Sequence, residues 1–303
     1  MTRRFRVVAG PNGSGKTTLM RRLAADYAVN FYEFINADDI FAEVSRTGRY
    51  APRIPLRDGI LQSYAETTSY PADVKDFFAD GAISLEADCV SFAPEAVNSY
   101  TVALLADFLQ DAYISQRVSF SRETVFSHPS KPKALEAARK AGFRTYLYFV
   151  STESAVVNVS RVENRAALGG HSVPREKIES RFAASVSNAA AALPHLSRAF
   201  FFDNSDETMR FFAEWSEGAG LSCVAGTTMP GWFEPIAAEA RRLSGDAQGS
   251  SSFAEDAKLS SSAAAASREA VNAAFAAGLS VTVMRDGSIV RIPPPIELKG
   301  DER

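Results

Sequence analysis

The sequence has little of several features that would place it in other protein classes. Its 303 residues include only two cysteines, Cys89 and Cys223, so neither a disulfide framework nor a zinc module is indicated. No apolar stretch reaches the roughly 18 residues of a membrane span. The net charge of −3 provides no basic face for nucleic acid. We therefore expect a soluble, cytoplasmic protein that binds neither membranes nor nucleic acids.

The start of the sequence also lacks the pattern of a targeting segment. Its first apolar run, Phe5 to Ala9, leads directly into a glycine-rich loop, so we expect no signal peptide or transit sequence. The apolar fraction of the sequence, 46%, is ample for a buried core. These features together are typical of an ordinary globular protein.

Short apolar runs alternate with helical patterns from Phe5 to Glu217. This alternation predicts an α/β fold, a doubly wound parallel sheet with helices on both faces. Helices are predicted at Asn98–Ala112, which carries one apolar stripe, and at Lys133–Ala141, which ends before Gly142. The candidate strands are rich in aromatic and β-branched residues: Phe5–Ala9, Tyr32–Asn36, Arg117–Ser121, Thr145–Val150 and Ala199–Asp203.

Three segments depart from this alternation. Residues 46–95, within a main domain at residues 1–243, are punctuated by prolines and predict a helical insert. The insert either shapes substrate choice or is a structural elaboration. Residues 244–266 are rich in Gly, Ser and Ala and predict a flexible linker. Residues 267–303 predict a small tail of one helix and a β-hairpin with an Asp-Gly turn, its strands at Val281–Met284 and Ile289–Ile292.

The loop after the first predicted strand matches the phosphate-binding pattern G-x-x-x-x-G-K-[ST] in full and opens a helix. Backbone N–H groups of such a loop cradle phosphates, and the helix N-terminus adds its positive dipole. Lys16 supplies a cation to the β- and γ-phosphates, and Thr17 ligates Mg²⁺. The motif thus predicts a P-loop NTPase-type fold with ATP and Mg²⁺ as cofactors, held by Gly10, Pro11, Asn12, Gly13, Ser14, Gly15, Lys16, Thr17 and the adjoining Thr18.

Missing signatures narrow the class of P-loop protein. The sequence has no N-K-x-D motif for guanine, which argues against a GTPase. It also has no paired apolar strand ending in Asp-Glu, which argues against an AAA-type or transport ATPase. Small-molecule kinases place a carboxylate after the second strand, and Asp38 is in that position. Asp38 is therefore our candidate for the base that accepts a hydroxyl proton, although Asp38 or Asp39 as a helix cap is the alternative.

Two further polar segments follow predicted strands. Glu123 and Thr124 come after the third strand, where Glu123 is placed to hold Mg²⁺ through water and Thr124 to bind the acceptor. A commonplace polar loop is the alternative. Asp203-Asn204-Ser205 ends the fifth strand, where Asn204 is expected near the adenine. An Asx turn before a helix at Glu207 is the alternative there.

A basic segment has the composition of a kinase lid. Its cations would neutralise charge on the transferring phosphoryl group, and Gly169-Gly170 would let the segment close. Arg161 and Arg165 lie four residues apart, hence on one helix face. A solvated basic helix face is the alternative, and His171 is either a lid donor or a surface loop residue. The basic residues are Arg161, Arg165, His171, Arg175 and Arg181.

These blocks, taken in order, resemble the zeta-toxin family of P-loop kinases from residue 5 to about residue 215. The residues that carry the resemblance are residues 9–18, Ile35-Asn36-Ala37-Asp38-Asp39-Ile40, Phe120-Ser121-Arg122-Glu123-Thr124, Gly169-Gly170-His171-Ser172-Val173-Pro174 and Phe202-Asp203-Asn204-Ser205. The predicted insert has no counterpart in this pattern.

The resemblance implies a kinase that uses ATP and Mg²⁺ to phosphorylate the sugar hydroxyl of UDP-N-acetylglucosamine, with an antitoxin protein as partner. Carried onto this sequence, Lys16 binds phosphate, Asp38 is the base, Thr124 contacts the acceptor and Arg161 stabilises the transferring group. The best-known toxins have an arginine where His171 falls, so Arg181 is the alternative second cation. The segment after Asp38 also departs from the family's pattern.

The residues leave three hypotheses open. The first is a kinase for a nucleotide sugar, with direct transfer from ATP to a hydroxyl group. The second is a kinase for another acceptor, such as NAD or a free sugar. The third is an ATP-switched binding protein, in which turnover is incidental. A base at Asp38 distinguishes the two kinases from the switch, which has no need of one.

Overall fold

The structure is a computed structural model that describes residues 2–27, 29–57, 59–86, 88–169, 172–244, 268–285 and 288–294. The predicted linker falls almost wholly outside these ranges. Gly170, His171 and the predicted Asp286-Gly287 turn also lie outside them.

The described residues alternate between strands and helices. The strands are β1 (Arg4–Ala9), β2 (Glu33–Ile35), β3 (Arg49–Tyr50), β4 (Ile83–Glu86), β5 (Cys89–Phe92), β6 (Phe120–Thr124), β7 (Arg144–Ser151), β8 (Arg198–Asp203), β9 (Arg210–Ser216), β10 (Gly220–Cys223), β11 (Val281–Arg285) and β12 (Ser288–Ile292). The helices are α1 (Lys16–Tyr27), α2 (Ala37–Thr47), α3 (Ile60–Thr67), α4 (Ala72–Ala79), α5 (Ser99–Ser115), α6 (Ser130–Lys140), α7 (Ala155–Ala167), α8 (Arg175–Ala192) and α9 (Glu234–Ser244), and residues 268–276 are also helical.

The main sheet has the strand order β10-β9-β8-β7-β1-β6-β2. β2 pairs with β6 in parallel, as does β7 with β8, which confirms the predicted doubly wound α/β fold. All five predicted strands belong to this sheet. The third begins at Phe120 instead of Arg117, because Arg117 lies in the turn after α5 with a φ of +56°.

The sheet continues further than the sequence predicted. The helix expected at Glu207 is wrong, because β9 begins at Arg210 and runs antiparallel to β8, and β10 runs antiparallel to β9. Phe211, Phe212 and Ala213 of β9 are all buried. A strand buried on both faces shows no alternation of apolar and polar residues, so its period does not identify it.

The chain divides into two compact units, which are described separately. The first comprises Met1–Val7, Phe31–Thr124 and Ala137–Thr145, and the second comprises Val8–Asn30, Val125–Glu136 and Tyr146–Arg303. In the first unit, the ring of Phe120 stacks on Phe5 at 4.2 Å between ring centroids and contacts Tyr113 at 5.2 Å. In the second, Phe233 lies against Phe201 and Phe212 at 4.8 and 5.0 Å. Each unit therefore has its own aromatic core.

The insert at residues 46–95 is not purely helical, so that part of the prediction is wrong. It contains α3 and α4 together with an antiparallel sheet of order β3-β5-β4. These strands are two to four residues long, with prolines around them, and so give no recognisable alternation. The insert is a mixed α/β element of the first unit.

Polar contacts fasten this insert to the helix that follows it. Tyr70 Oη donates to Asp107 Oδ2 at 3.0 Å, and the other oxygen of Asp107 pairs with Arg122 of β6 at 2.5 Å. Arg122 is 5% exposed and also donates to Gln110 Oε1 at 2.8 Å. Burial and the Asp107 carboxylate raise the pKa of Tyr70, so its hydroxyl keeps the proton that it donates. The insert is thus connected, through α5, to β6, the strand that contains Glu123 and Thr124; the prediction that these two residues follow the strand is wrong.

Candidate active site

The phosphate-binding loop connects β1 to α1 in the second unit. Gly10 has a φ of +143°, and a Cβ there would lie 1.9 Å from the carbonyl oxygen of Val150. Gly15 has a φ of +98°, and a Cβ there would lie 2.8 Å from Nδ2 of Asn204. Only glycine fits these two positions, because backbone conformation and space both exclude a side chain. The glycines of the motif are required by the way that the loop packs on its neighbours.

Lys16 is held over this loop by the loop itself. Its side-chain Nζ donates to the carbonyl oxygen of Pro11 at 3.0 Å, and the residue is only 8% exposed. The N–H group of Ser14 reaches the same carbonyl at 3.3 Å. In the part of the chain that the structure describes, the buried Oγ of Ser14 has no hydrogen-bond partner. A cation, a hydroxyl donor and the start of α1 therefore lie together, a donor set that fits the phosphates of a nucleotide.

Asn204 supports the loop from the end of β8. Its Nδ2 donates to the carbonyl of Ser14 at 2.9 Å, and its backbone N–H donates to Ser151 at 2.8 Å. Asn204 is 5% exposed, so it braces the loop from inside the protein. The expected position of Asn204 near the adenine stays a prediction, and the contact that the structure shows is with the phosphate-binding loop.

The neighbouring carboxylate of Asp203 is fully engaged. Its Oδ1 accepts hydrogen bonds from Ser205 Oγ at 2.5 Å and from Trp232 Nε1 at 3.1 Å. Its Oδ2 pairs with Arg210 at 3.2 Å. The expected Asx turn before a helix is therefore replaced by a buried polar cluster before β9.

The predicted lid consists of α7 and α8, which pack on each other through Val159, Val162 and Ile178. Gly169 has a φ of +85° after the end of α7. The position of His171 lies outside the described residues, so the structure neither supports nor excludes its proposed role. The two helices are therefore joined by an apolar contact.

Arg161 is the best-anchored cation of this segment. Its guanidinium donates to the carbonyls of Asn204 at 2.7 Å and Asp206 at 3.2 Å. Burial lowers the pKa of Arg161 to about 10, against the opposing influence of Asp203 and Asp206, and the group stays charged at neutral pH. Arg161 thus fixes the loop after β8.

The other basic residues of the segment have different surroundings. Arg165 is exposed on α7, and Arg181 is half-buried on α8. Arg175 forms an exposed ion pair with Glu179 at 2.8 Å, which contributes little to stability. Arg165 and Arg175 are therefore the cations of this segment that lie nearest to solvent.

The candidate acceptor residues lie in the first unit, at the carboxyl ends of β2 and β6. Asn36, and not Asp38 or Asp39, is the N-cap of α2, because its Oδ1 accepts from the N–H of Asp38 at 3.0 Å. The alternative interpretation, that either aspartate caps the helix, is wrong. Both aspartates are exposed in the first turn of α2, which leaves the Asp38 carboxylate accessible to a substrate.

Asn36 is a site residue that the sequence analysis missed. Its Nδ2 donates to Oε2 of Glu123 at 3.4 Å, which joins the ends of β2 and β6. Register explains the contact, because Ile35 pairs with Arg122 and the next residues of the two parallel strands are Asn36 and Glu123. The structure therefore brings Asn36, Glu123 and the half-buried Thr124 to one edge. The preference of asparagine for N-caps was the available signal.

Among the described residues, no group of three or more His, Cys, Asp or Glu side chains is arranged to hold a metal ion. Mg²⁺ in nucleotide sites takes one or two protein oxygens, with phosphates and waters completing its shell. The Thr17 hydroxyl, at the second position of α1, is an oxygen of this kind. No described helix has both the length and the apolar character needed to cross a membrane.

Comparisons with known proteins place this loop in a family. A family model described as an AAA domain, AAA_33, matches residues 6–185, more than half of the chain. The match agrees with the predicted P-loop fold. A search of curated proteins finds no match.

Several solved structures are similar at low identity. The PezAT chromosomal toxin-antitoxin system of Streptococcus pneumoniae is 13% identical, with 90% of this chain and 87% of that chain covered and a TM-score of 0.42. The AvrRxo1-ORF1:-ORF2 complex with ATP is 15% identical, with 88% and 80% covered and a TM-score of 0.43. A gluconokinase from Sinorhizobium meliloti is 15% identical, with 80% and 93% covered and a TM-score of 0.30.

Proposed function

The chain belongs to the AAA domain family, and we propose that it is an ATP-dependent kinase that transfers the γ-phosphate of ATP to a hydroxyl group of a small molecule. The geometry of the phosphate-binding loop carries this proposal. Lys16 lies over the loop, α1 directs its N-terminus at the site, and Asn204 braces the loop from below. Such preorganised donors stabilise the charge that develops on a transferring phosphoryl group.

The reaction needs no covalent enzyme intermediate. The acceptor hydroxyl oxygen forms a bond to the γ-phosphorus while the bond from that phosphorus to the β,γ-bridging oxygen breaks, and ADP leaves. The hydroxyl proton passes to the carboxylate of Asp38. Lys16 neutralises charge on the β- and γ-phosphates. The lid residues Arg161 and Arg165 add further positive charge at the transferring phosphoryl group. The Thr17 hydroxyl and, through water, Glu123 would hold Mg²⁺, which would supply further positive charge at the phosphates.

We further propose a nucleotide sugar, such as UDP-N-acetylglucosamine, as the acceptor and an antitoxin protein as a partner that blocks the ATP site. Both rest on the resemblance of the sequence blocks to the zeta-toxin family. Thr124 contacts the acceptor in this proposal, and Glu123 is positioned by Asn36. The insert is connected through Asp107 to β6, the strand that contains Glu123, which supports a role in acceptor choice.

The direct test is a screen of a metabolite extract with γ-labelled ATP, followed by identification of the labelled product. The wild-type protein is expected to label one class of small hydroxyl compound. Addition of purified UDP-N-acetylglucosamine, NAD and free sugars in parallel reactions separates the candidate acceptors. Labelled inorganic phosphate as the sole product, from any extract, would contradict a kinase and favour an ATP-switched binding protein.

We expect the lid to close over the bound substrates. Gly169, with its left-handed backbone, and the exposed Arg165 follow the anchored residue Arg161, so we expect the movement at the end of α7 and not at Arg161. Hydrogen exchange at residues 161–169 and 172–181 is expected to slow when ATP and acceptor bind together. The buried centre of α5 serves as the internal control and should exchange equally with and without ligands. Equal exchange in the lid under both conditions would indicate a static surface segment.

A further inference from the structure

The hairpin of β11 and β12, which we call the C-terminal hairpin, is hydrogen-bonded to α7. The hydroxyl groups of Thr282 and Ser160 lie 2.7 Å apart. Asn164, one turn further along α7, donates through Nδ2 to the carbonyl of Ser280 at 2.7 Å. Arg161 lies between these two contact residues on the same helix. The hairpin therefore holds α7 on both sides of the residue that reaches the loop after β8.

The same strand contacts that loop directly. The backbone N–H of Met284 donates to the carbonyl of Ser205 at 2.9 Å. The carbonyls on either side, of Asn204 and Asp206, accept from Arg161. Of these three consecutive carbonyls, the first and third therefore accept hydrogen bonds from Arg161, and the second accepts one from the hairpin. Next to this loop, Met284 also forms part of the wall of a cavity of about 580 Å³.

These contacts belong to an ordered element with an apolar core. Ala274, Val281 and Val283 are buried together, with Val290 and Ile292 of the hairpin packed against them. Thr282 is only 6% exposed, so its hydroxyl makes the contact with Ser160 away from bulk water. A buried hydrogen bond of this kind fixes the distance between β11 and α7.

We propose that the C-terminal hairpin positions the nucleotide site: by joining α7 to residues 204–206, it holds Asn204 under the phosphate-binding loop and Arg161 at the edge of the site. Thr282 and Met284 are positioning residues, because they act through Arg161 and Asn204. The inference rests on the proposed function, since the site concerned is the ATP site. If the site is already held in its binding geometry, less free energy is lost in ordering it when the nucleotide binds.

The test measures the dissociation constant of ATP in the presence of Mg²⁺ for matched variants of the full chain. Thr282→Val keeps the shape of the side chain but removes the hydroxyl, and we expect ATP to bind about 2- to 10-fold more weakly, the usual effect of one hydrogen bond. Thr282→Ser restores a hydroxyl and is expected to restore affinity. The rate at saturating ATP should change less than the KM for ATP, because the hairpin donates nothing to the reacting atoms.

A second pair of variants tests the backbone contact. Met284→Pro removes the N–H that reaches Ser205, and because this N–H points away from β12, the substitution removes no hydrogen bond between β11 and β12. Ile289 faces Met284 in the register of the hairpin, and it is 47% exposed on β12. Because the N–H of Met284 points away from β12, the N–H of Ile289 points away from β11, on the opposite edge of the hairpin. Ile289→Pro removes that N–H and is the matched control. We expect Met284→Pro alone to weaken ATP binding.

The outcomes separate this inference from the proposed function. Failure of the wild-type protein to bind ATP would overturn both. Normal ATP affinity in Thr282→Val and Met284→Pro, with a wild-type protein that binds ATP, would overturn the inference and leave the kinase proposal standing. A lower melting temperature at unchanged affinity would likewise assign the hairpin a purely structural role. Should Thr282→Val fail to fold, the comparison of Met284→Pro with Ile289→Pro decides.

Discussion

Replacing Lys16 with alanine is expected to abolish phosphoryl transfer while leaving the protein folded. The side-chain ammonium is the cation of the phosphate-binding loop, held at 3.0 Å from the carbonyl of Pro11. Removing one preorganised charge-stabilising group from an active site typically lowers kcat about 10²- to 10³-fold. Lys16 begins α1, and alanine is the best helix former, so the helix should persist. Transfer of labelled phosphate to the identified acceptor measures the effect.

The fold of the variant needs a separate control, because Lys16 is 8% exposed and its methylene groups are buried. Lys16→Met keeps the length of the apolar stem and removes only the charge, so it should lose activity equally and melt close to wild type. Lys133→Ala, an exposed lysine on α6, is the matched control and should retain full activity. Undiminished transfer by a folded Lys16→Met protein would remove the basis of the kinase proposal.

If the protein inhibits growth when expressed, the same substitution distinguishes two of the original hypotheses. A kinase toxin requires phosphoryl transfer, so Lys16→Ala is expected to relieve the inhibition. Inhibition that persists in the Lys16→Ala variant would favour a binding protein whose nucleotide turnover is incidental.

The phosphate-binding loop was predictable because sterics and chemistry act on the same few residues. Gly10 and Gly15 approach Val150 and Asn204 too closely for any side chain, and Lys16 must carry a positive charge. A short pattern of residue types is therefore sufficient to identify both the local backbone and its chemistry. The partners of the loop were harder to identify, because Asn204 is about 190 residues away in the sequence. Its position at the end of a strand was the only local indication.

The elements that the sequence missed share a different property. β9 has consecutive buried residues, Phe211 and Phe212, with no alternation to separate a strand from a helix. The strands of the insert are so short that their pairing partners, and not their own residues, define them. Both depend on contacts distant in sequence, which override local propensity.

The start of α2 shows how a small error in a helix boundary changes a functional interpretation. Asn36, Asp38 and Asp39 are all residue types that cap helices, so the sequence could not choose among them. The structure assigns the cap to Asn36 and starts the helix at Ala37. Asp38 and Asp39 therefore have no capping role in α2, which removes the main structural reason for their presence.

Because Asp38 does not cap α2, Asp38→Asn tests the proposed base without disturbing a helix cap. The amide keeps the size of the side chain but accepts no proton, and loss of general base catalysis typically lowers kcat about 10²- to 10⁴-fold. The cap made by Asn36 is untouched, so the expected loss of stability is only the roughly 0.3–1 kcal/mol by which a negative charge favours a helix N-terminus. ATP should bind as tightly as it does to the wild-type protein.

Asp39→Asn is the matched control, because Asp39 is the next residue of the same first turn, is equally exposed and loses the same interaction with the helix dipole. If Asp38 is the base, Asp39→Asn should retain kcat within a few-fold of wild type while both variants melt at similar temperatures. The reverse result would move the base to Asp39. If neither substitution lowers kcat with a verified acceptor, Glu123 is the next carboxylate to test, because Asn36 links it to the same edge of the first unit. Glu123→Gln would then be expected to show the loss of kcat that Asp38→Asn did not.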